Sequence, residues 1–154
     1  RQRQMCIRDS FSIEQLLKNV AISFAISLDT NEADIEFSSS ISDSLGEFTG
    51  DKIKLQELVL NLLKNAEEAI TEQGSIHLAA SRSGDIITIT CTDTGCGITP
   101  EQMECIFQPF VTYKPGGTGL GLAFSRKIAE AHEGTLTAVS TPQESTTFTV
   151  TLPV

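Results

Sequence analysis

Apolar side chains at Ile13, Leu16, Leu17, Val20 and Phe24 recur at the spacing of one helix face, which predicts a helix over Ser12–Leu28. Ser12 with Gln15 three positions on reads as a capping box at its start. "ADIEF" (33–37) alternates as a strand does, and Gly46 and Gly50 punctuate the loop after it. From Asp51 to about Glu72, Leu55, Leu58, Val59, Leu62, Leu63, Ala66 and Ile70 form one broad apolar stripe, the longest helix of the chain. "SIHLAAS" and "DIITITCT" flank an "RSGD" turn and predict a β-hairpin. Thr99-Pro100-Glu101-Gln102 is a helix start, with a threonine cap, proline at the first position and glutamine three after the cap. Leu120–Glu133 reads as a further helix closed by Gly134. "TLTAVS" and "TTFTVTLP" supply two last strands. Paired antiparallel strands with segregated helices predict an α+β fold, a two-layer α/β sandwich with helices on one face. Strand-helix-strand alternation is not evident, so a doubly wound sheet is not expected.

Length and composition leave that picture standing. The chain has 154 residues, 40% hydrophobic and 20% charged, which suits one domain with its own core. No apolar run approaches the roughly 18–20 residues that span a bilayer, so no membrane contact is expected from this segment. The start, "RQRQMCIRDS", is basic but leads into no apolar signal region. Residues 1–9 have no periodicity and read as a non-native scar, with the domain running over 10–154. The net charge of −9 carries no concentrated basic stripe, which argues against a nucleic-acid partner. An acidic protein that takes a phosphate ligand must do so locally, with backbone amides, a metal and a few cations. Cys6, Cys91, Cys96 and Cys105 form no CxxC pair, and His77 and His132 stand far from them, so reduced thiols in a cytoplasmic setting are expected.

Three places could carry chemistry. Asn61 and Asn65 lie one turn apart at the border of the long helix's stripe. Asparagine is a poor helix former, so two on one edge are either surface residues or amides aimed at a target. A carbonyl oxygen there would suit Mg²⁺, a hard ion that takes few protein ligands beside water and phosphate. Second, Asp93 ends a strand, and Gly95 and Gly97 follow at positions where backbone can turn or approach closely. This is either an ordinary turn or a carboxylate that accepts from an exocyclic amino group such as adenine N6. Third, "KPGGTGLGL" places Gly117, Gly119 and Gly121 directly before a helix. It is either a mobile loop or a set of amides at a helix N-terminus, which favours phosphate. It is neither a P-loop nor a Rossmann fingerprint. Lys114 is either a solvated lysine or a point charge for a terminal phosphate.

In this order and spacing the three places, with "IFQPF" between them, resemble the ATP-binding catalytic domain of sensor histidine kinases in the gyrase, heat-shock chaperone, kinase and MutL superfamily. "LQELVLNLLKNAEEAI" resembles its N box, "DTGCGI" the first glycine box, "IFQPF" the F box and "GGTGLGL" the second glycine box. The run 107–136 is most similar to the nitrogen-regulation, oxygen-sensing and dicarboxylate-sensing branch. The resemblance covers about residues 11–154 and implies the Bergerat-type fold, a mixed sheet with an ATP lid loop, and ATP with Mg²⁺ as ligand and cofactor. It implies Asn65 as the Mg²⁺ ligand with Asn61 as its partner, and Asp93 as the adenine reader supported by Gly95 and Gly97. Phe107 and Phe110 would anchor the lid, with Lys114 near the γ-phosphate. Gly117, Thr118, Gly119, Leu120 and Gly121 would wrap the phosphates, and Thr146 would stand near adenine. Two positions depart from the pattern: Glu68 stands where many members carry a basic residue, and Ser145 where a glycine precedes the threonine.

The residue one turn before the Mg²⁺ asparagine separates the branches. Superfamily ATPases and anti-sigma-type serine kinases carry a glutamate there as general base, whereas Asn61 cannot take a proton. The resemblance therefore implies a protein histidine kinase, which binds Mg-ATP and donates the γ-phosphate to a histidine on a separate dimerisation domain in two-component signal transduction. Neither His77, mid-strand, nor His132, at a helix end, resembles a phosphoacceptor. The implied partners are an acceptor-histidine dimerisation domain, upstream or in trans, and indirectly a response regulator; the parent protein is expected to be longer and cytoplasmic or membrane-anchored. The alternative is a stand-alone nucleotide-binding switch of the same superfamily, an anti-sigma-type serine kinase or a non-catalytic interaction module.

Overall fold

The computed structural model describes residues 8–29, 33–109 and 121–154. Among them the chain forms β1 (Asp9–Ser12), α1 (Ile13–Leu28), β2 (Asp34–Ile41), β3 (Glu47–Gly50), α2 (Lys52–Ala69), β4 (Gln73–Ser83) and β5 (Ile86–Asp93), in that order. The short α3 (Pro100–Met103), α4 (Gly121–Ala131), β6 (Thr135–Thr141) and β7 (Ser145–Pro153) complete it.

Five strands form one mixed sheet in the order β2-β4-β5-β7-β6. The β4–β5, β5–β7 and β6–β7 pairs are antiparallel, and β2 runs parallel to β4. That parallel pair makes the sheet mixed, as the resemblance implies; β2 and β4 are joined through α2, a single strand-helix-strand crossover that the periodicity alone did not show. The sequence around it alternates on too short a stretch to reveal direction. The expected loop around Gly46 and Gly50 also holds a strand, β3, which pairs antiparallel with β1. Asp9, which composition placed outside the domain, is paired with Gly50 there.

The two faces of the sheet differ by alternation. One face buries Ile76, Leu78, Ile87, Ile89, Cys91, Phe148, Val150, Leu152 and Leu136. Against it lie the stripes of α1 (Leu16, Leu17, Val20, Phe24), α2 (Leu55, Leu58, Val59, Leu62, Leu63, Ala66) and α4 (Ala123, Ile128, Ala129). The opposite face presents threonines in cross-strand ranks, Thr88–Thr151–Thr135 and Thr90–Thr149–Thr137. Helices thus cover one face, as the two-layer sandwich requires. Among the described residues no helix is long and apolar enough to cross a membrane.

Helix ends follow the caps in part. Ser12 accepts from Gln15 N–H at 3.1 Å, but the Gln15 side chain turns forward to Asn19, so only half of the expected box forms. At α3 the box is complete, with Thr99 and Gln102 bonded reciprocally. Asp51 caps α2 by accepting from Lys54 N–H at 3.1 Å. That helix stops at Ala69, three residues short of expectation, because Ile70 turns extended (φ −105°, ψ 117°) and buries its side chain. At the end of α4 the left-handed residue is Glu133 (φ 63°), not Gly134. Gly134 is required for another reason: a Cβ there would overlap the Thr151 carbonyl oxygen.

Candidate functional site

The last turn of α2 and the end of β5 are joined backbone to backbone. Cys96 N–H donates to the Ala69 carbonyl at 3.0 Å. A Cβ at Gly95 would collide with that same carbonyl, so Gly95 is there for close approach to the chain's own helix. Gly97 adopts φ +76°, and a Cβ on it would stand 2.6 Å from Thr141 O. On the far side Gln143 N–H donates to Cys96 O at 2.7 Å, so the loop is clamped between α2 and the β6–β7 turn.

This clamp holds Asp93. Its side chain is buried, and Oδ1 accepts from Gly95 N–H at 2.8 Å. Thr146, also buried, is its cross-strand partner on β7. Ser140 Oγ accepts from Ile98 N–H at 2.7 Å, donates to Ser145 O at 2.9 Å, and lies 2.8 Å from Thr146 Oγ1. A hydroxyl has one proton and two lone pairs. With its proton on Ser145 and one lone pair on Ile98, Ser140 can only accept from Thr146. The Thr146 hydroxyl therefore donates to Ser140, with its lone pairs left over beside the Asp93 position on β5. Chemically, a carboxylate and a hydroxyl oxygen suit a donor such as an amino group. Cys91, two residues before Asp93, donates to Leu62 O at 3.7 Å; burial first, and the Asp93 charge second, push its thiol up to about 12.

Farther back along α2 the helix edge opens into a cleft of about 450 Å³ facing α4. Glu57 and Asn61 line it from α2, Gly121, Phe124 and Lys127 from α4, and Pro109 closes one side. Asn61 Nδ2 donates to Ser125 Oγ at 3.3 Å, tying the two helices together. Asn65 is half-buried one turn on, between this cleft and the Asp93 clamp. From Ala69 to Asn61 the helix covers about 12 Å at 1.5 Å per residue, so its edge can serve a ligand with two chemically different ends. The amide oxygens of Asn61 and Asn65 are hard donors, few in number, and fit an octahedral ion that also takes phosphate and water. Gly121 and Lys127 of α4 line the cleft wall opposite Glu57 and Asn61, so the cleft carries one basic and one acidic side chain.

Phe107 packs edge-on against Phe148, with ring centroids 6.4 Å apart, and the Arg126 guanidinium lies 5.0 Å from its centroid. It anchors the segment before Pro109 to both the core and α4. Phe110, Lys114, Gly117, Thr118, Gly119 and Leu120 lie outside the described residues. Sequence reasoning missed Ser125 and Ser140. A lone serine in a helix stripe or strand carries too little signal to be picked out.

Comparison with known proteins matches residues 50–154 to the family described as histidine kinase-, DNA gyrase B- and HSP90-like ATPase. The sensor histidine kinase ZraS of Escherichia coli K12 is 41% identical over 129 residues, 84% of this chain but 28% of ZraS. The chain thus spans under a third of that relative's length. Among solved structures, the catalytic domain of histidine kinase ThkA superposes with a TM-score of 0.84 at 27% identity, covering 96% of this chain and 95% of that one. ShkA, solved at full length in complex with AMPPNP, gives 0.83 at 29% identity, covering 97% of this chain and 32% of ShkA. A fold, a clamped buried aspartate, an asparagine-edged helix and these likenesses agree: the chain belongs to the histidine kinase-, DNA gyrase B- and HSP90-like ATPase family, as the ATP-binding catalytic domain of a sensor histidine kinase.

Proposed function

We propose that this domain binds Mg-ATP along the edge of α2 and presents the γ-phosphate to a histidine on a separate dimerisation domain, the phosphoryl group passing on to a response regulator. The observation that carries this reading is the arrangement of two unlike ends on one helix edge. Asp93 and Thr146 offer buried acceptors at one end, and Asn61, Gly121 and Lys127 line an open cleft at the other. The relative ShkA, solved in complex with AMPPNP, supports a nucleotide as the ligand.

In this reading Asp93 and Thr146 accept from the adenine amino group, and Asn65 with Asn61 supplies amide oxygens toward Mg²⁺. When bound there, the ion would supply positive charge that offsets the charge of the phosphates. Lys114, Gly117, Thr118, Gly119, Leu120 and Gly121 wrap the phosphates, while Phe107 and Phe110 hold the base of that segment. Transfer breaks the bond between the γ-phosphorus and the β-bridging oxygen, forms a bond to an imidazole nitrogen, and releases ADP. The transfer is mostly positioning and charge stabilisation, so it needs no base from this domain. Asn61 cannot take a proton, which disfavours water activation at that position and supports kinase over ATPase chemistry.

Calorimetric titration of the chain with Mg-ATP, Mg-GTP and ATP in EDTA tests the reading. Metal-dependent, adenine-selective binding that loses its metal dependence in Asn65→Ala is the expected result. Equal binding of GTP, or no binding by folded protein, would count against it.

A further inference from the structure

Ser125 is fully buried in the middle of α4, where the neighbouring buried positions of the same helix are Ala123, Ile128 and Ala129. An alanine would satisfy the packing of such a seam, and a hydroxyl out of water costs free energy unless it is bonded. That hydroxyl accepts from the amide nitrogen of Asn61, at 3.3 Å across the α2–α4 contact. An asparagine amide has a donor end and an acceptor end, and a half-turn about its last bond exchanges them. Holding the nitrogen on Ser125 leaves the carbonyl oxygen for the cleft that Asn61 lines.

We infer that Ser125 is a positioning residue for the metal-nucleotide site: it sets the rotamer of the Asn61 amide so that an oxygen, not an NH₂, faces the Mg²⁺ coordination sphere. This rests on the Mg-ATP reading above. Ser125 itself touches neither metal nor nucleotide and acts only through Asn61. The cost of a free amide rotor would appear as weaker coupling between metal and nucleotide, with the nucleotide's metal-free affinity left alone.

Two readouts test it. In the nucleotide-free chain, side-chain amide NMR should show the Asn61 NH₂ protected from solvent exchange, and Ser125→Ala should abolish that protection while the backbone spectrum stays folded. In the second, the Mg²⁺ concentration for half-maximal ATP binding should rise about fivefold or more in Ser125→Ala, with affinity in EDTA unchanged. In an Asn61→Ala background Ser125→Ala should add nothing. Ser125→Cys controls for volume and should behave as alanine does in the metal titration. Additive effects of the two substitutions, or an exchange rate for the Asn61 NH₂ that Ser125→Ala leaves unchanged, would overturn the inference. A wild-type chain that shows the protected amide yet binds no Mg-ATP would overturn the functional reading, and the metal role of Ser125 with it.

Discussion

His132 Nε2 accepts the backbone N–H of Asp51 at 3.0 Å, while its Nδ1 lies 2.8 Å from the Ile128 carbonyl oxygen. A carbonyl can only accept, so the ring proton sits on Nδ1 and the imidazole is neutral. The bond joins the end of α4 to the residue whose carboxylate caps α2, and so joins the two helices that flank the cleft. His132 is buried beside Phe48 and is a structural tie.

His132→Ala removes the acceptor for a buried N–H and leaves a ring-sized space. The expected loss is about 2–4 kcal/mol, combining an unsatisfied donor with a core cavity. Urea unfolding measures it; a change below about 0.5 kcal/mol would mean that solvent replaces the ring without cost.

The last turn of α4 offers a paired test with opposite signs. Glu133 holds φ 63°, which strains an L residue, so Glu133→Gly should stabilise the domain by about 0.5–1 kcal/mol. Gly134→Ala should destabilise it by about 3 kcal/mol or more, because its Cβ meets Thr151 backbone that cannot move without breaking the sheet. Thermal unfolding of both variants settles which of the two positions needs glycine for conformation and which for space.

Asp93→Asn should keep its bond to Gly95, since that N–H needs an acceptor and the asparagine carbonyl supplies one. The NH₂ then takes the place of the second carboxylate oxygen and faces a ligand amino group, donor against donor. ATP affinity should fall by about 1.5–3 kcal/mol, tenfold or more, with the fold retained. Undiminished ATP binding in a folded variant would remove Asp93 from the nucleotide site.

Cys91 should resist alkylation in the native chain at pH 8, whereas the exposed Cys96 reacts. The folded thiol of Cys91 is raised from its ordinary 9.0 to about 12, so between these values the unfolded chain releases a proton that the folded chain keeps. Stability should therefore fall as pH rises through that window, by up to about 1.4 kcal/mol per unit from this group. Mass mapping of labelled peptides checks the first point. A Cys91→Ala variant whose pH slope above 9 matches the wild type would sink the second.

Much of the fold was legible from periodicity. The stripe from Leu55 to Ala66 has one interpretation at 3.6 residues per turn, and β4, β5 and β7 alternate over eight residues or more. Side-chain period is a local property, so a chain reports it without help from its neighbours. The parallel pairing of β2 with β4 and the strand hidden at Glu47–Gly50 were not legible, because pairing direction and a four-residue strand depend on which backbone lies alongside.

The same division runs through the candidate site. Sequence alone determined which residues are suited to it: Asn61 and Asn65 on one helix edge, Asp93 before two glycines, and a glycine run opening a helix. Those spacings follow from the covalent chain and the pitch of its elements. Only the tertiary structure decided why Gly95 and Gly134 must lack a side chain, which lone pairs Ser140 leaves to Thr146, and which end of the Asn61 amide Ser125 holds. Each of these depends on a contact between segments far apart in sequence, such as Asn61 and Ser125 at 64 residues' separation. A hydrogen bond is decided within a few tenths of an ångström, and only packing the helices onto the sheet sets distances to that tolerance.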